Sequence, residues 1–338
     1  MKFFIIGGTG SLGKKLIDRL SSEHDVSIYS RDEMKQWTLK NDLAKNTLIK
    51  QPSFFVGDIR DFERVKEVIS RVRPDVIIIA AALKQVDTCE TSPIESIKTN
   101  LLGTQNVIRA VEELTTSTSI KIDKVLFVST DKSVSPVNVY GMCKALSERI
   151  VTSMATVQSS KTKYFCTRYG NVLESRGSVI PLFKYQAEQK ECITVTDPNM
   201  TRFVMTLNES VDLILTTLEH GKSGQIWVPK IPAMRIGDLA ELFSEQSKKP
   251  LKYIGLRPGE KQHEDLVNET EAGRTTNVGS YYVIEHACSA ITNTKFHYTS
   301  CDDVMSKDAL KEHLTKLGIF NMSSDDFVGL KIEEIQNR

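Results

Sequence analysis

The segment Ser129–Lys132 places several proton-handling side chains directly after an apolar run, and Tyr140 and Lys144 follow it closely. Tyr140 and Lys144 are four residues apart, so they share one face of a helix. A tyrosine hydroxyl has an ordinary pKa of about 10, and a neighbouring ammonium favours its phenolate form. Such a tyrosine can act as a base near neutral pH. Asp131 and Lys132 add a second acid and base, which is more proton chemistry than a simple alcohol dehydrogenase requires.

The composition is that of an ordinary soluble globular protein. The chain has 338 residues, of which 40% are hydrophobic and 26% are charged. Its net charge of +1 gives no electrostatic reason to expect nucleic acid or an anionic membrane as a partner. No apolar run approaches the roughly 20 residues needed to span a bilayer, and the N-terminus has no signal-peptide pattern. We therefore expect a cytoplasmic protein of one large or two moderate domains.

The cysteines and histidines do not form a metal-binding pattern. The six cysteines are scattered without a CxxC pair, and the six histidines are dispersed. Free thiols in a reducing compartment fit this distribution better than a disulfide framework or a zinc site. We expect no metal ion at the functional site.

Short apolar runs alternate with longer amphipathic runs over the first two-thirds of the chain. The apolar runs are rich in Val, Ile and Phe and lack a period of two, as expected of strands covered on both faces. Alternating strands and helices predict an α/β fold with a doubly wound parallel sheet. The predicted strands are Lys2–Ile6, Val26–Tyr29, Ser53–Val56, Val76–Ala80, Val125–Ser129 and Lys163–Arg168. The predicted helices are Gly13–Ser22, Phe62–Ser70, Pro93–Leu114 and Tyr140–Gln158.

A glycine-rich loop follows the first predicted strand and precedes the first helical pattern. Glycines permit a tight turn and let a pyrophosphate approach the backbone at a helix N-terminus. The position of the loop between a strand and a helix predicts a dinucleotide-binding site. The residues expected to contact the dinucleotide are Gly7, Thr9, Gly10, Ser11, Leu12 and Gly13.

The end of the second strand carries residues that choose between two dinucleotides. A ribose 2′-hydroxyl prefers an acidic partner, whereas a 2′-phosphate prefers arginine. Arg31, with Ser30 as a hydrogen-bond donor, favours NADP, while Asp32 leaves NAD open. The residues expected along the rest of the dinucleotide are Asp58 and Ile59 at the adenine, and Ala80, Ala81 and Ala82 at the nicotinamide-side ribose.

The strand and helix pattern becomes less regular after about Tyr169, which predicts a smaller substrate lobe. We predict a dinucleotide-binding domain at residues 1–170, joined by some later segments, a substrate lobe at 171–300, and a helical appendage with a polar tail at 301–338. The predicted helices are Ile180–Gln189, Leu207–Glu219, Ile236–Gln246 and one within Cys301–Phe320. The predicted strands are Ile193–Val195, Gln225–Val228 and Lys252–Ile254.

From Met1 to about Ile284 the chain resembles the extended short-chain dehydrogenases/reductases that act on nucleotide sugars. The glycine loop, Asn100 and the Tyr140-x-x-x-Lys144 pattern carry this resemblance. Within that group the chain is most similar to the inverting UDP-N-acetylglucosamine 4,6-dehydratases, including those that start pseudaminic acid synthesis. The resemblance implies a Rossmann-type sheet with a smaller mixed α/β substrate lobe. The specific segments are 82–87, 129–132, 136–141, 168–172, 175–181, 200–203 and 257–261.

The resemblance implies UDP-N-acetylglucosamine as substrate and tightly bound NADP as a temporary hydride store. Tyr140 is expected to take the proton of the sugar C4 hydroxyl, with Lys144 lowering its pKa and contacting the nicotinamide ribose. Thr130 is expected to bond the C4 oxygen. Lys132 is expected to act as base at C5, and Asp131 as acid toward the departing C6 hydroxyl. A site with little water is expected to lower the pKa of Lys132, so that the amine is neutral for part of the time.

The residue after Asp131 carries stereochemical information in this family. Dehydratases that retain the C5 configuration generally have Asp-Glu at this position, whereas the inverting enzymes have Asp-Lys. Because this chain has Lys132, the resemblance implies inversion at C5. The implied product is UDP-2-acetamido-2,6-dideoxy-β-L-arabino-hex-4-ulose.

A nucleotide-sugar substrate carries a diphosphate, so its site needs fixed cations. Arg202 and Arg257 are the candidates, since the arginine fork matches phosphate oxygens. Glu260 is expected to bond the ribose of the UMP moiety, and Lys84 to contact the cofactor or the sugar. The other residues expected at the substrate are Asn171, Ser178, Val179 and Pro181 around the uridine and diphosphate, and Thr194 and Thr196 beside the uracil.

Other functions on the same fold stay open. A UDP-sugar 4-epimerase needs no acid–base pair at C5 and C6, so Asp131 and Lys132 argue against it. A bifunctional C5-epimerase/4,6-dehydratase of N-acetylfucosamine synthesis is a further alternative. A non-catalytic NADP-binding regulator often loses the Tyr140/Lys144 pair, which is intact here. Members of this fold pair through two long helices, so we expect a homo-oligomer.

Overall fold

A nine-stranded β-sheet forms the centre of the computed structural model, which describes residues 1–46, 48–173, 175, 178–290, 292 and 295–322. The strands are β1 (Lys2–Ile6), β2 (Asp25–Ser30), β3 (Ser53–Val56), β4 (Val76–Ile79), β5 (Lys124–Val128), β6 (Lys163–Thr167), β7 (Asn171–Val172), β8 (Ile193–Val195), β9 (Thr201–Met205), β10 (Ile226–Pro229), β11 (Ala233–Arg235), β12 (Leu251–Tyr253), β13 (Asp265–Val267), β14 (Thr275–Val278), β15 (Tyr281–Ile284) and β16 (Tyr298–Thr299).

The large sheet has the order β3-β2-β1-β4-β5-β6-β10-β15-β14. The seven strands from β3 to β10 are parallel, and β15 and β14 are antiparallel to their neighbours. Helices flank this sheet, and the predicted doubly wound parallel sheet is confirmed. The helices are α1 (Ser11–Leu20), α2 (Glu33–Ala44), α3 (Phe62–Val72), α4 (Val86–Thr91), α5 (Pro93–Ser96), α6 (Gly103–Ser117), α7 (Val139–Ser153), α8 (Val179–Gln189), α9 (Leu207–His220), α10 (Ile236–Ser247), α11 (Glu269–Ala272) and α12 (Lys307–Lys316).

The six strands predicted for the first half are all present, with bounds that differ by at most one residue. Their side chains are apolar on both faces because helices cover both sides, and every residue of β4 is buried. Helix α2 was not predicted, because only Gln36, Leu39 and Leu43 are buried along it and its apolar face is weak. Asp32 caps the N-terminus of α2 by accepting a hydrogen bond from the Lys35 backbone N–H.

Segments from the second half of the chain return to the large sheet. Strand β10 pairs in parallel with β6 and extends the sheet, and β15 and β14 follow it. Helix α9 packs against α1, and Arg19 forms an ion pair with Asp212 at 2.6 Å across this contact. The predicted segments 207–219 and 225–228 therefore belong to the large sheet layer and not to the smaller lobe, to which the sequence pattern had assigned them.

A second apolar core forms the smaller lobe. Side chains of α8, α10 and α12 pack around β8, and β12 pairs with β8 in parallel. Leu310 and Leu314 of α12 are fully buried in this core, so α12 packs against the lobe. The predicted polar tail lies outside the described residues from position 323 onward. Within the described ranges, no helix combines the length and apolar composition that a membrane crossing requires.

A buried ion-pair network ties the large sheet to the segment around α11. The guanidinium of Arg168, at the end of β6, lies 2.7 Å from Glu148 of α7 and 2.8 Å from Glu271 of α11. All three side chains are buried. Glu148 also accepts a hydrogen bond from Ser133, in the turn after β5, at 2.9 Å. The network therefore connects four elements around the carboxyl end of β5.

Replacing Arg168 with Met should lower the free energy of unfolding by about 3–5 kcal/mol, because it leaves two buried carboxylates without their cation. The matched control is Arg19→Met, which removes an exposed ion pair and should cost about 0–1 kcal/mol. Urea unfolding of the two variants measures the difference. Equal losses of stability in both variants would show that the buried network does not hold these elements together.

Candidate active site

The carboxyl ends of the parallel strands open into a cavity of about 1000 Å³. Ligands of doubly wound α/β folds bind at this edge of the sheet. The cavity brings together nearly all the residues that the sequence predicted for dinucleotide, substrate and catalysis. Those that line it are Gly7, Thr9, Gly10, Ser11, Leu12, Gly13, Ser30, Arg31, Asp58, Ile59, Ala80, Ala81, Ala82, Lys84, Thr130, Asp131, Lys132, Tyr140, Lys144, Asn171, Ser178, Val179, Thr194, Thr196, Arg257 and Glu260.

Two predicted substrate residues do not line this cavity. Pro181 is buried in the first turn of α8. The guanidinium of Arg202, on β9, donates to the backbone carbonyls of Thr201, Lys261 and Gln262 at 2.7, 2.9 and 3.1 Å. These hydrogen bonds hold the chain at Lys261 and Gln262, and Arg202 lines a smaller adjoining cavity with Lys132 and Glu260, so its predicted diphosphate contact stays a prediction.

The glycine loop has the shape that a dinucleotide phosphate requires. Gly7 has a φ of +92°, and a Cβ there would overlap the backbone of Ala81. No side-chain hydrogen bond caps α1, and Gly10 to Gly13 line the cavity at its N-terminus. Backbone N–H groups and the helix dipole at such an end attract an anion. The residues present therefore fit a dinucleotide.

Asp32 is engaged in the structure of α2. Its carboxylate accepts a hydrogen bond from the Lys35 backbone N–H at 2.9 Å and lies 2.8 Å from the Lys35 ammonium. Ser30 accepts a hydrogen bond from Gln36 at 3.0 Å. Arg31 is exposed beside them and lines the cavity. Arg31 thus lines the cavity at the end of β2, where a ribose 2′-substituent would bind, while Asp32 caps α2.

Asn100 fixes the segment that follows β4. Its side-chain oxygen accepts from the Leu83 N–H at 2.8 Å, and its side-chain nitrogen donates to the Leu83 carbonyl, also at 2.8 Å. Asn100 lies in a π-helical turn, Ile97–Leu102, so the single helix predicted over 93–114 is divided into three pieces. The two hydrogen bonds between Asn100 and Leu83 hold the backbone next to Lys84, whose Nζ lies 3.5 Å from Ser175 Oγ.

The turn after β5 and the start of α7 are in direct contact. Asn138 caps α7 by accepting a hydrogen bond from the Gly141 N–H at 2.7 Å. A Cβ on Gly141 would overlap the carbonyl oxygen of Lys132, so only glycine allows this close approach. The turn Asp131–Ser133 is a single 3₁₀ turn packed on α7. As a result Tyr140 and Lys132 face one part of the cavity.

The acid–base cluster of Asp131 and Lys132 contains a second carboxylate, Glu264, which no sequence pattern indicates. The Lys132 ammonium lies 3.1 Å from Asp131 Oδ1 and 3.2 Å from Glu264 Oε1. Thr130 donates a hydrogen bond to Asp131 Oδ1 at 2.8 Å. Glu264 precedes β13 and is far from Lys132 in sequence, so no local spacing connects the two. The nearest available sequence signal was the charge-rich run 257–264.

The pKa of Lys132 is shifted in the direction opposite to the one expected from the sequence. Burial lowers its pKa, but the carboxylates of Asp131 and Glu264 act in the opposite direction and raise the pKa above its usual value. The expected lowering of the Lys132 pKa is therefore wrong. Burial raises the pKa of Glu264, and the Lys132 ammonium opposes that rise.

Tyr140 and Lys144 share the cavity, but their coupling also differs from the expectation. Burial raises the pKa of Tyr140 to about 12, and the groups that lower it are the Lys132 ammonium and the Thr130 hydroxyl. Burial lowers the pKa of Lys144 to about 8. Lys144 donates a hydrogen bond to the Val128 carbonyl at 2.7 Å. The Lys132 ammonium is thus the neighbouring cation that most favours the Tyr140 phenolate.

The substrate end of the cavity contains Arg257 and Glu260, which lie on one loop. The guanidinium of Arg257 lies 3.6 Å from the Asp87 carboxylate, and its backbone N–H donates to Glu260 at 3.3 Å. Within the described part of the chain, no three His, Cys, Asp or Glu side chains are grouped as metal ligands. The cavity is also lined by residues that the sequence did not assign to the site, including Lys14, Gln85, Asp87, Phe183 and Asn208.

Residues 3–286 match a family model described as "Polysaccharide biosynthesis protein". A protein of Rickettsia prowazekii named UDP-glucose 4-epimerase is 40% identical over 321 residues, which cover 92% of this chain and 91% of the relative.

Two solved structures share the fold. The X-ray structure of Pen from Bacillus thuringiensis has a TM-score of 0.86 and 33% identity, and the match covers 94% of this chain and 98% of Pen. DesIV, a dTDP-glucose 4,6-dehydratase from Streptomyces venezuelae solved with NAD and TYD bound, has a TM-score of 0.64 and 18% identity, covering 78% of this chain and 89% of DesIV. This chain belongs to the polysaccharide biosynthesis protein family, and it is an enzyme of the extended short-chain dehydrogenase/reductase type.

Proposed function

We propose that this protein is a UDP-N-acetylglucosamine 4,6-dehydratase that inverts C5 of the sugar and uses NADP. The observation that carries the proposal is the position of Asp131 and Lys132 in the same cavity as Tyr140 and Lys144. Oxidation of an alcohol at C4 needs only the tyrosine and the lysine of α7. A second acid and base beside them supports a further step, the elimination of water across C5 and C6.

The first part of the reaction uses Tyr140, Thr130 and Lys144. NADP⁺, when bound, supplies a hydride acceptor for C4 and later a hydride donor for C6. Tyr140 removes the proton of the C4 hydroxyl, and the positive charge of Lys132 favours the phenolate that this requires. Thr130 hydrogen-bonds the C4 oxygen. Lys144, held by the Val128 carbonyl, contacts the nicotinamide-side ribose.

The second part uses the pair Asp131 and Lys132. A ketone at C4 acidifies the hydrogen at C5, so a neutral amine can remove it. A proton moving from Lys132 Nζ to Asp131 Oδ1, 3.1 Å away, makes the base and the acid together. Lys132 then takes the C5 proton, Asp131 gives its proton to the C6 oxygen, and water leaves. Once hydride has returned to C6, a proton drawn from solvent would reach C5 on the opposite face and give the inverted sugar, and Tyr140 would return the proton of the C4 hydroxyl to solvent.

The choice of NADP is supported by the end of β2. Asp32 caps α2 and pairs with Lys35, whereas Arg31 is exposed and lines the cavity. A guanidinium suits a 2′-phosphate, whose charge it can match. At the other end, Arg257 lines the cavity, and we assign it to the substrate diphosphate.

A second candidate is a UDP-sugar 4-epimerase, which the name of the Rickettsia prowazekii relative favours. An epimerase oxidises C4 and returns the hydride to the other face of the same carbon. It has no use for an acid and a base at C5 and C6. The pair Asp131 and Lys132 therefore supports the dehydratase over the epimerase. The bifunctional C5-epimerase/4,6-dehydratase would use the same acid and base.

We also propose that the protein is a homo-oligomer that pairs through its two long helical segments. Leu102, Met142 and Leu146 lie on these segments and are exposed apolar side chains. Their burial against a second copy would remove apolar surface from water.

Incubation with UDP-N-acetylglucosamine in deuterated water should give a product that has lost one water and gained deuterium at C5. Mass spectrometry and proton NMR of the nucleotide sugar measure both changes. Lys132→Met should reduce bound NADP⁺ more slowly than the wild type, because Tyr140 remains but loses the cation that favours its phenolate, and it should release no water. An unchanged mass with altered C4 configuration would identify an epimerase, and the absence of any turnover would identify a binding protein.

Replacing Arg31 with Ala should weaken NADP binding by roughly tenfold to a hundredfold, the equivalent of about 1.5–3 kcal/mol for charge-assisted hydrogen bonds. Binding of NAD, which lacks the 2′-phosphate, should not change and serves as the internal control. Calorimetric titration of cofactor-free protein with each dinucleotide measures the two affinities. If the affinities for both dinucleotides fall equally, Arg31 does not read the 2′-position.

A further inference from the structure

Glu264 belongs to the catalytic cluster in space, although it belongs to no motif of the sequence. Its carboxylate lies 3.2 Å from the Lys132 ammonium, which in turn lies 3.1 Å from the Asp131 carboxylate. The Glu264 side chain is buried. It lines a second cavity of about 170 Å³ together with Lys132, Arg202 and Glu260. This placement leaves Lys132 between two carboxylates from different parts of the fold.

The position of Glu264 does not depend on Lys132. Its backbone N–H donates to Ser300 Oγ at 2.9 Å, and its carbonyl accepts from the Ser300 N–H at 2.8 Å. The chain just before it is held by Arg202 through the carbonyls of Lys261 and Gln262. These contacts fix the Glu264 backbone from β9 and from the segment before α12. The carboxylate is thus presented to the amine by a preformed loop.

The charges around Lys132 come from four elements. Asp131 lies on the same turn, Tyr140 faces it from α7, and Arg202 faces it from β9. The loop before β13 contributes Glu264 and Lys261. Among the described residues, Asp131 Oδ2 and Glu264 Oε2 are buried and receive no hydrogen bond.

We propose that Glu264 is a positioning residue that holds the Lys132 amine beside Asp131 and keeps it in its ammonium form until the substrate is bound. The proposal rests on the dehydratase function, because it concerns the base of the elimination step. Without Glu264 the amine has one carboxylate partner in place of two. An anion this close to an ammonium favours the charged form, so its removal increases the neutral fraction at any given pH.

Trace labelling with acetic anhydride measures this fraction, because only the neutral amine reacts. In the ligand-free full-length protein, Glu264→Gln should label Lys132 roughly tenfold faster than the wild type at the same pH, relative to the exposed Lys45. Glu264→Asp keeps the charge and should label Lys132 at close to the wild-type rate. Peptide mass spectrometry quantifies both lysines in one digest.

Glu241→Gln is the matched control. Lys307 lies between Glu241 and Glu245, at 2.7 and 2.6 Å, in a similar two-carboxylate arrangement at the surface. Glu241→Gln should leave the labelling of Lys132 unchanged. An unchanged Lys132 rate in Glu264→Gln overturns the proposal. So does an equal increase in Glu264→Asp, which would show that packing and not charge controls the amine.

The pH dependence of the C5 step gives a second readout. The rate of deuterium entry at C5 should rise with pH as Lys132 loses its proton, and in Glu264→Gln this rise should move to lower pH by about one unit or more. A C5 profile that is identical in wild type and Glu264→Gln contradicts the proposal.

The labelling experiment needs no substrate, so it tests the role of Glu264 separately from the proposed dehydratase function. If Lys132 labels faster in Glu264→Gln but the wild type releases no water from UDP-N-acetylglucosamine, the proposed function is wrong and the role of Glu264 in setting the charge of Lys132 stands. If the wild type is a dehydratase but labelling is unchanged, the role of Glu264 is wrong and the function stands.

Discussion

The Lys132 ammonium joins two parts of the fold that are far apart in sequence. Asp131 belongs to the turn after β5, Glu264 to the loop before β13, and the amine lies within 3.2 Å of both. Two carboxylates buried this close together repel each other, and a cation between them offsets that repulsion. The large sheet and the substrate-side loop therefore contact each other at the Lys132 ammonium, and the cluster forms only when both are folded.

Backbone contacts make this meeting possible. Gly141 lets α7 approach the carbonyl of Lys132, and Asn138, which caps α7, donates a hydrogen bond to the Gly259 carbonyl at 2.8 Å. Lys261, on the same loop as Gly259, donates to the Val134 carbonyl at 2.6 Å. The helix that carries the hydride-transfer pair, the turn with the acid and base, and the substrate loop are thus held to one another by hydrogen bonds independent of any ligand.

The sequence predicted the parts of the site that depend on local order along the chain. Strand ends, the glycine loop and the Tyr140/Lys144 spacing follow from such order, and the residues so identified line one cavity. Contacts between distant segments could not be read in the same way. Glu264 lies next to Lys132 only in the folded protein, because the two are far apart in sequence. Arg202 donates its hydrogen bonds to backbone carbonyls. The pKa of Lys132 is raised and not lowered, because two carboxylates lie beside the amine.

The central claim is that oxidation at C4 and reduction at C6 occur on one sugar, with the acid–base cluster acting between them. Turnover of UDP-N-acetylglucosamine carrying deuterium at C4 tests it most directly. NMR of the product should show the deuterium at C6, transferred within the same molecule even when unlabelled substrate is mixed in. Deuterium that returns to C4, or that is lost to the cofactor pool, would contradict the account.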